Sequence, residues 1–248
     1  MKAEVVYGGH STVFLNMGKA SILTDPNLSN RLWTIRRRSK PGLSREQIES
    51  VNLVLVSHGH YDHLDMPTVR RLSRSAVVIV PEGLSRYFTR YGFKDVRVMS
   101  WWEQTTVHGI RVVVVPANHF QGRNPFVKSL YQGYVIDGGR QIYFAGDTGW
   151  FEGFKEIGAM FRLDLALLPI GAYRPWAVFG SHMTPEDSVR AMRHLGAKAM
   201  VPIHWGTFRL SLEPLSEPLN RLKRAAIDAG MQDRIVVLQP GQSLELTR

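Results

Sequence analysis

The stretch of this 248-residue chain with the clearest chemical potential is residues 57–65, SHGHYDHLD, where three histidines and two aspartates fall within nine positions. It follows the short apolar run 53–56, which predicts a buried strand that ends in a tight turn. Imidazole nitrogen and carboxylate oxygen are the usual ligands of zinc and similar divalent ions. The spacing predicts that His58 and His60 bind one ion, and that the Asp-His pair 62–63 points to a second position nearby.

Three more potential ligands come later in the chain. His119, Asp147 and His204 each follow a run of apolar residues that predicts a strand. Because ligands in α/β proteins gather where strands lead into loops, these residues are expected to join the first cluster. Two ions held about 3.5–4 Å apart would form a two-metal clamp. The predicted set is His58, His60 and His119 for one ion, Asp62, His63 and His204 for the other, and Asp147 as the bridge.

Composition sets the wider limits. The length predicts one domain, residues 1–248, and 44% hydrophobic with 21% charged residues is ordinary for a globular protein. The absence of cysteine excludes disulfides, thiolate metal sites and a cysteine nucleophile. No signal-peptide pattern and no apolar run of about 20 residues is present, so we predict a cytoplasmic protein. The net charge of +10 favours anionic partners.

Predicted strands and helices alternate along the chain, and this pattern indicates an α/β fold. The strongest helix start is Thr184-Pro185-Glu186-Asp187, which offers a cap, a first-turn proline and two acids. The last predicted strand is 234–238. The predicted helices begin at Ser44 and run over 67–73, 82–91, 151–161, 184–195 and 215–229.

Residues 28–45 break the α/β rhythm, because basic and bulky apolar side chains mix there in a predicted loop or short helix. One interpretation is a segment that faces anions, so that residues 31–45 could make transient contact with an anionic membrane surface. The other is a solvated charge run with one buried tryptophan. Sequence alone leaves both open.

Other polar and aromatic residues also have two interpretations. Asp25, at a predicted strand end, is either a turn former or a carboxylate that orients a ligand histidine. His10 makes either a structural hydrogen bond in the core or a supporting contact near the site. Three aromatic residues are candidates for the walls of the pocket: Tyr131, Tyr173 and Trp176.

The H-x-H-x-D-H motif, followed by separated His, Asp and His, resembles the metallo-β-lactamase superfamily. That resemblance implies an αββα four-layer sandwich, in which two mixed sheets are flanked by helices. Further blocks resemble the N-acyl-phosphatidylethanolamine-hydrolysing phospholipase D group and span nearly the whole chain. These blocks are GHST at 9–12, LTDP at 23–26, WWE at 101–103, FAGDTG at 144–149, PIGAY at 169–173 and IHWGTF at 203–208.

The resemblance implies a phosphodiesterase with two divalent ions, in which a bridging hydroxide attacks phosphorus. Zinc is the expected metal, and manganese or iron also suits nitrogen and oxygen ligands. Asp62 is the expected holder of the nucleophile's proton, and His182 is a further site residue. The chain departs from the family pattern at Ser181, where the family has glutamine, and at Arg174, where it has glutamate. These departures leave the lipid specificity open.

The expected partner is a small-molecule or phospholipid substrate. The first alternative is a lactone or ester hydrolase, because the ascorbate-6-phosphate lactonase-like proteins share this framework. The second is a nuclease that binds nucleic acid, although no basic-aromatic motif supports it, and no nucleic acid is expected. Hydrolysis of β-lactams is not expected, because those enzymes usually lack an aspartate at the bridging position of Asp147.

Overall fold

The computed structural model describes residues 2–120, 130–175 and 180–247. The described strands are β1 Ala3–Gly9, β2 Thr12–Met17, β3 Ala20–Thr24, β4 Arg31–Leu32, β5 Ile35–Arg36, β6 Leu53–Leu55, β7 Val77–Val80, β8 Asp95–Val98, β9 Gln104–Val107, β10 Ile110–Val115, β11 Gly133–Asp137, β12 Gln141–Phe144, β13 Leu165–Pro169, β14 Ala199–Ile203 and β15 Ser243–Leu246. The described helices are α1 Arg45–Ser50, α2 Met66–Val69, α3 Arg86–Thr89, α4 Gly153–Met160, α5 Pro185–Leu195 and α6 Glu217–Asp228.

Two large mixed sheets form the centre of the molecule. The first sheet has the order β15-β1-β2-β3-β6-β7-β8, antiparallel from β15 to β3 and parallel from β3 to β8. The second sheet has the order β14-β13-β12-β11-β10-β9, in which β12 to β14 are parallel and the rest antiparallel. Apolar residues dominate the strands of both sheets, as expected where both faces are covered.

Three buried apolar clusters define four layers. The central cluster packs the first sheet against the second, with residues such as Leu15 and Leu55 on one side and Tyr134 and Phe144 on the other. A second cluster packs α4, α5 and α6 on the outer face of the second sheet. A third packs α1 to α3 on the outer face of the first sheet. The predicted αββα sandwich, with two mixed sheets flanked by helices, is confirmed.

The caps of α5 and α1 form where the sequence predicts them. Thr184 accepts a hydrogen bond from the Asp187 backbone N–H, and α5 ends at Gly196 in the left-handed conformation. Ser44 and Gln47 form the same kind of reciprocal cap at α1. Among the described residues, the helices include none long and apolar enough to cross a membrane.

Two predicted helices are shorter than expected. α2 is four residues long and covers three of a predicted seven, and α3 covers four of a predicted ten. The flanking residues form tighter turns, as in the hydrogen bonds from the N–H of Leu72 to the carbonyl of Val69 and from Tyr87 to Leu84. Such i to i−3 bonds are the 3-10 pattern, which sequence periodicity separates poorly from an α-helix.

The prediction of a last strand at 234–238 is wrong. That segment carries a 3-10 turn at Gln232–Arg234 and a single parallel bridge between Met200 and Ile235. Val236 donates to the carbonyl of Met200, but Pro202 has no N–H with which to continue the ladder. The final strand is instead β15, which pairs with β1 and closes the edge of the first sheet.

Residues 31–36 form a short hairpin rather than a loop or helix. β4 and β5 pair Arg31 with Arg36 and Leu32 with Ile35. Trp33 at the tip has 72% of its surface exposed, so the interpretation of a solvated run with a buried tryptophan is wrong on that point.

Candidate metal centre

The ligands predicted from sequence come together where strands β6, β10, β12 and β14 end. The 57–65 loop leaves the first sheet after β6. Its root is held by the Tyr134 hydroxyl, which donates to the carbonyl of Val56 at 2.6 Å, and by Gln132, whose N–H donates to the carbonyl of Ser57 at 3.0 Å. Tyr134 belongs to β11 of the second sheet and Gln132 directly precedes that strand, so the loop is fixed at the boundary between the sheets.

The first cluster consists of three imidazoles. His58 Nε2 lies 2.9 Å from His60 Nδ1, and His119 Nε2 lies 3.2 Å from the same atom. Ligands about 2.0–2.1 Å from a tetrahedral zinc ion would be separated by roughly 3.3 Å. The spacing of these three nitrogens is therefore close to what one metal ion requires.

The second cluster combines a carboxylate with two imidazoles. Asp62 Oδ2 lies 3.3 Å from both His63 Nε2 and His204 Nε2. The sequence-predicted trio for the second ion is therefore brought together.

Asp147 lies between the two clusters. Its Oδ2 atom is 3.0 Å from His63 Nε2, 3.1 Å from His204 Nε2 and 4.0 Å from His58 Nε2. It can sit this deep because Gly146, with φ of +61°, carries no side chain, and a Cβ there would overlap Ser57. The position suits the predicted bridging role.

Outer hydrogen bonds orient the imidazoles. Asp25 Oδ2 accepts from His63 Nδ1 at 2.6 Å and from the Ser57 hydroxyl at 2.6 Å, and that hydroxyl lies 2.9 Å from His58 Nδ1. His119 Nδ1 donates to the carbonyl of Ser181 at 2.9 Å. With these Nδ1 atoms engaged as donors, each Nε2 atom faces the cluster. Of the two interpretations of Asp25, the structure supports the carboxylate that orients a ligand histidine.

His10 is a site residue that the sequence alone left undecided. Its Nε2 lies 2.8 Å from Asp62 Oδ2, and its ring centroid is 4.0 Å from that of His204. Its carbonyl accepts from the His204 N–H at 2.9 Å, so it supports both members of the second cluster. The GHST block around it was the only signal in the sequence.

Backbone strain concentrates at the same place. His10, Asp25 and His204 have φ values of 61°, 33° and 59°, a region that residues other than glycine rarely occupy. Each such residue costs about 1–3 kcal/mol and persists only where its surroundings impose it. The site therefore holds its polar groups in positions that a relaxed chain would not choose.

The protonation states divide the histidines into two groups. Burial lowers the pKa of His58 well below its usual value and lowers that of His119 to about 3, so both rings are neutral. Burial also acts to lower the pKa of His204, but the carboxylates of Asp147 and Asp62 outweigh it and raise that pKa to about 9. The same carboxylates raise the pKa of His63 well above its usual range despite burial. A cation placed there competes with protons for a strongly negative pocket.

A divalent ion fits these residues. Among the residues that the structure describes, buried Asp147 Oδ1 has no hydrogen-bond partner. An unpaired buried carboxylate oxygen carries a free-energy cost, and a bound cation would remove it. The all-nitrogen and oxygen donor set is that of zinc, manganese or iron sites.

His182 lies at the rim of the cluster. Its ring centroid is 5.0 Å from that of His119 and 5.6 Å from that of His204, and its Nδ1 is 4.0 Å from Asp147 Oδ2. Burial lowers its pKa to about 4, so the ring is a neutral one that still carries one N–H donor. Within the described part of the chain, its Nδ1 has no hydrogen-bond partner.

Of the predicted aromatic walls, Tyr131 is near the site, with its ring centroid 6.3 Å from that of His119. Tyr173 instead donates its hydroxyl to Glu217 Oε1 at 2.7 Å. Trp176 lies outside the described residues.

Comparisons with known proteins identify the family of this chain. A family model described as a beta-lactamase superfamily domain matches residues 20–205. The chain is 33% identical to a UPF0173 metal-dependent hydrolase of Pelotomaculum thermopropionicum, over 98% of this chain and all of that protein. It is 31% identical to N-acyl-phosphatidylethanolamine-hydrolyzing phospholipase D 1 of Caenorhabditis elegans, over 87% of this chain and 67% of that one. It is 37% identical to the uncharacterized protein Rv0906 of Mycobacterium tuberculosis, over 99% of this chain and 69% of that protein.

A solved structure supports the fold alone. The novel metallo hydrolase Igni18 from Ignicoccus hospitalis superposes with a TM-score of 0.77 over all of both chains, at 24% identity. The fold and the clustered His and Asp residues define a metal-dependent hydrolase. The chain belongs to the metallo-β-lactamase superfamily.

Proposed function

We propose that this hydrolase is a phosphodiesterase with two zinc ions, of the N-acyl-phosphatidylethanolamine phospholipase D type. The observation that carries the proposal is the pair of donor clusters on either side of Asp147. A relative that hydrolyses N-acyl-phosphatidylethanolamine supports the substrate class. The proposed ligands are His58, His60 and His119 for one ion and Asp62, His63 and His204 for the other, with Asp147 shared.

When bound, such an ion pair supplies Lewis acidity towards a phosphoryl oxygen and makes a coordinated water acidic near neutral pH. The chain's own residues supply the rest. Burial acts to raise the pKa of Asp62, but His63 and the hydrogen bond from His10 hold it well below its usual range. Asp62 is therefore an ionised acceptor, 12% exposed at its side chain, that can hold the proton of an attacking water.

The test is a substrate panel with the zinc-loaded protein. We expect bis(p-nitrophenyl) phosphate and N-acyl-phosphatidylethanolamine to be cleaved, with loss of activity in excess chelator and recovery on adding zinc. In ¹⁸O-water the label should enter the phosphate product, because water oxygen bonds to phosphorus as the P–O bond to the leaving alcohol breaks. Turnover of lactones with no cleavage of any phosphodiester would replace the proposal with the lactonase alternative.

His182 is the proposed donor to the substrate. Its partnerless Nδ1 at the rim can contact a phosphoryl or leaving-group oxygen without being a ligand. We expect His182→Ala to lower kcat/KM by about 10²-fold, the usual effect of removing one such donor. His182→Gln, which keeps an N–H, should recover part of this loss.

Metal content separates the two roles that His182 could have. His119, Asp147 and His182 also lie close enough together to hold an ion. If His182→Ala binds as much zinc as the unchanged protein, a contact with substrate is supported. If zinc is lost in proportion to activity, His182 is a ligand and the proposed donor role is wrong.

The cytoplasmic location and the membrane contact of residues 31–45 remain predictions. One basic side chain of that segment is already engaged, because the guanidinium of Arg37 donates to the carbonyls of Asn27 and Ser29. Arg45 is paired with Glu49 at 2.7 Å, so the exposed basic residues left for an anionic surface are Arg31, Arg36, Arg38 and Lys40.

A further inference from the structure

The β4–β5 hairpin has a firmly held base beside the metal centre. Arg37, directly after β5, donates to the carbonyl of Asn27 at 2.6 Å and to that of Ser29 at 2.8 Å, and its guanidinium lies 4.8 Å above the Phe208 ring. Asn27 in turn donates through Nδ2 to the carbonyl of Asp62 at 3.0 Å. The hairpin therefore has a defined position relative to the 57–65 loop.

A cleft of about 310 Å³ separates the hairpin from that loop. Its volume is at the lower end of the range for ligand pockets. One end of the cleft reaches His60 and Asp62, which belong to the two donor clusters. Its apolar walls are Leu32, Trp33, Ile35 and Tyr61.

The side chains of the hairpin are divided between two faces. Leu32 and Ile35 are directly opposed and share the face that lines the cleft, whereas the opposed pair Arg31 and Arg36 projects from the other face. Trp33 at the tip is 72% exposed, and its ring centroid lies 5.0 Å from that of Tyr61 in an edge contact. A large aromatic held open to water beside a reactive centre is suited to contact a ligand.

We propose that this cleft binds the apolar arm of the substrate while its phosphoryl group lies at the metal centre. The inference rests on the proposed phosphodiesterase function and names its substrate class, a phosphodiester with an alkyl or acyl arm. Trp33 is then a specificity-determining contact. Because the apolar walls continue to His60 and Asp62, the apolar arm and the phosphoryl group of one substrate molecule would lie in a single groove.

The test is calorimetric binding of a homologous series, methyl-, butyl-, hexyl- and octylphosphonate, to the zinc-loaded protein below micellar concentrations. Each methylene that enters the cleft should tighten binding about two- to fourfold. Trp33→Ala should flatten this dependence on chain length while leaving methylphosphonate binding unchanged. Trp33→Phe, which keeps an aromatic face, should retain most of it.

Ile227→Ala is the matched control, because Ile227 is 63% exposed on α6 and does not line the cleft. It should leave the chain-length dependence intact. Equal affinities across the series, no binding of any member, or an unchanged dependence in Trp33→Ala would each overturn the proposed cleft. Chain-length dependence in a protein that cleaves no phosphodiester would overturn the proposed function and leave the cleft standing.

Discussion

Replacing Asp147 by asparagine is expected to lower kcat/KM of the metal-loaded protein by about 10³-fold and to leave about one bound ion in place of the two that we propose for the unchanged protein. The amide is nearly isosteric, so the packing around Gly146 is preserved. It removes the negative charge that lies 3.0 Å from His63 Nε2 and 3.1 Å from His204 Nε2. Elemental analysis of dialysed protein, with kinetics on bis(p-nitrophenyl) phosphate, measures both effects.

Asp95→Asn is the matched control for charge removal. Asp95 pairs with Arg97 at 2.7 Å on the partly exposed edge strand β8, away from the donor clusters. That variant should keep its metal and its activity, because partly exposed ion pairs contribute little. Full metal content and activity in Asp147→Asn would show that the shared carboxylate is not needed, and the proposed two-ion arrangement would be wrong.

Asp25→Asn is expected to weaken zinc binding by about 10- to 100-fold, although Asp25 contacts no metal in the proposal. Its carboxylate accepts from the Ser57 N–H at 2.7 Å, from the Ser57 hydroxyl and from His63 Nδ1. An amide would direct its own N–H groups at one or more of these donors and release the ring of His63. Competition with a chromophoric chelator measures the affinity.

Thermal unfolding of the metal-free Asp25→Asn protein separates the loss of affinity from a loss of folding. A broken buried hydrogen bond to a charged group should cost about 1–3 kcal/mol. That cost corresponds to a fall in Tm of roughly 2–12 °C for a chain of this size.

Asp65→Asn is the control from the same loop. Asp65 caps α2 by accepting from the Thr68 N–H at 3.0 Å and belongs to neither donor cluster. Equal losses of zinc affinity in Asp25→Asn and Asp65→Asn would indicate general loosening of the loop, and the orienting role of Asp25 would be wrong.

The clustering of the polar residues could be predicted from local sequence patterns. Runs such as 53–56 and 199–203 are too apolar to be anything but buried strands, and a buried strand must release its next residues at the edge of a sheet. The H-x-H-x-D-H spacing then restricts the chemistry, because few roles other than metal binding use three imidazoles so close together. The sandwich itself came from the resemblance to a family rather than from these patterns.

The features that could not be predicted from the sequence depend on contacts between residues that are far apart in the chain. β15 exists because β1 offers it an edge, and the two strands are separated by most of the chain. β15 is only four residues long and has two polar side chains, whereas the apolar segment 234–238 has a stronger local pattern but forms only one bridge. His10 is a similar case, since its contact with Asp62 spans fifty-two positions. The hairpin 31–36 was missed because its strands are only two residues long.

The donor clusters draw on both halves of the sandwich, His58, His60 and Asp62 from the loop after β6 and His119 and His204 from the ends of β10 and β14. Each of the two proposed ion positions takes ligands from both halves, since His119 joins His58 and His60 and His204 joins Asp62 and His63. Tight metal binding is therefore expected to depend on the packing of one sheet against the other. An ion bound in this position would cross-link the two layers. The amount of metal that the protein retains would then measure how much of it has folded to the complete sandwich.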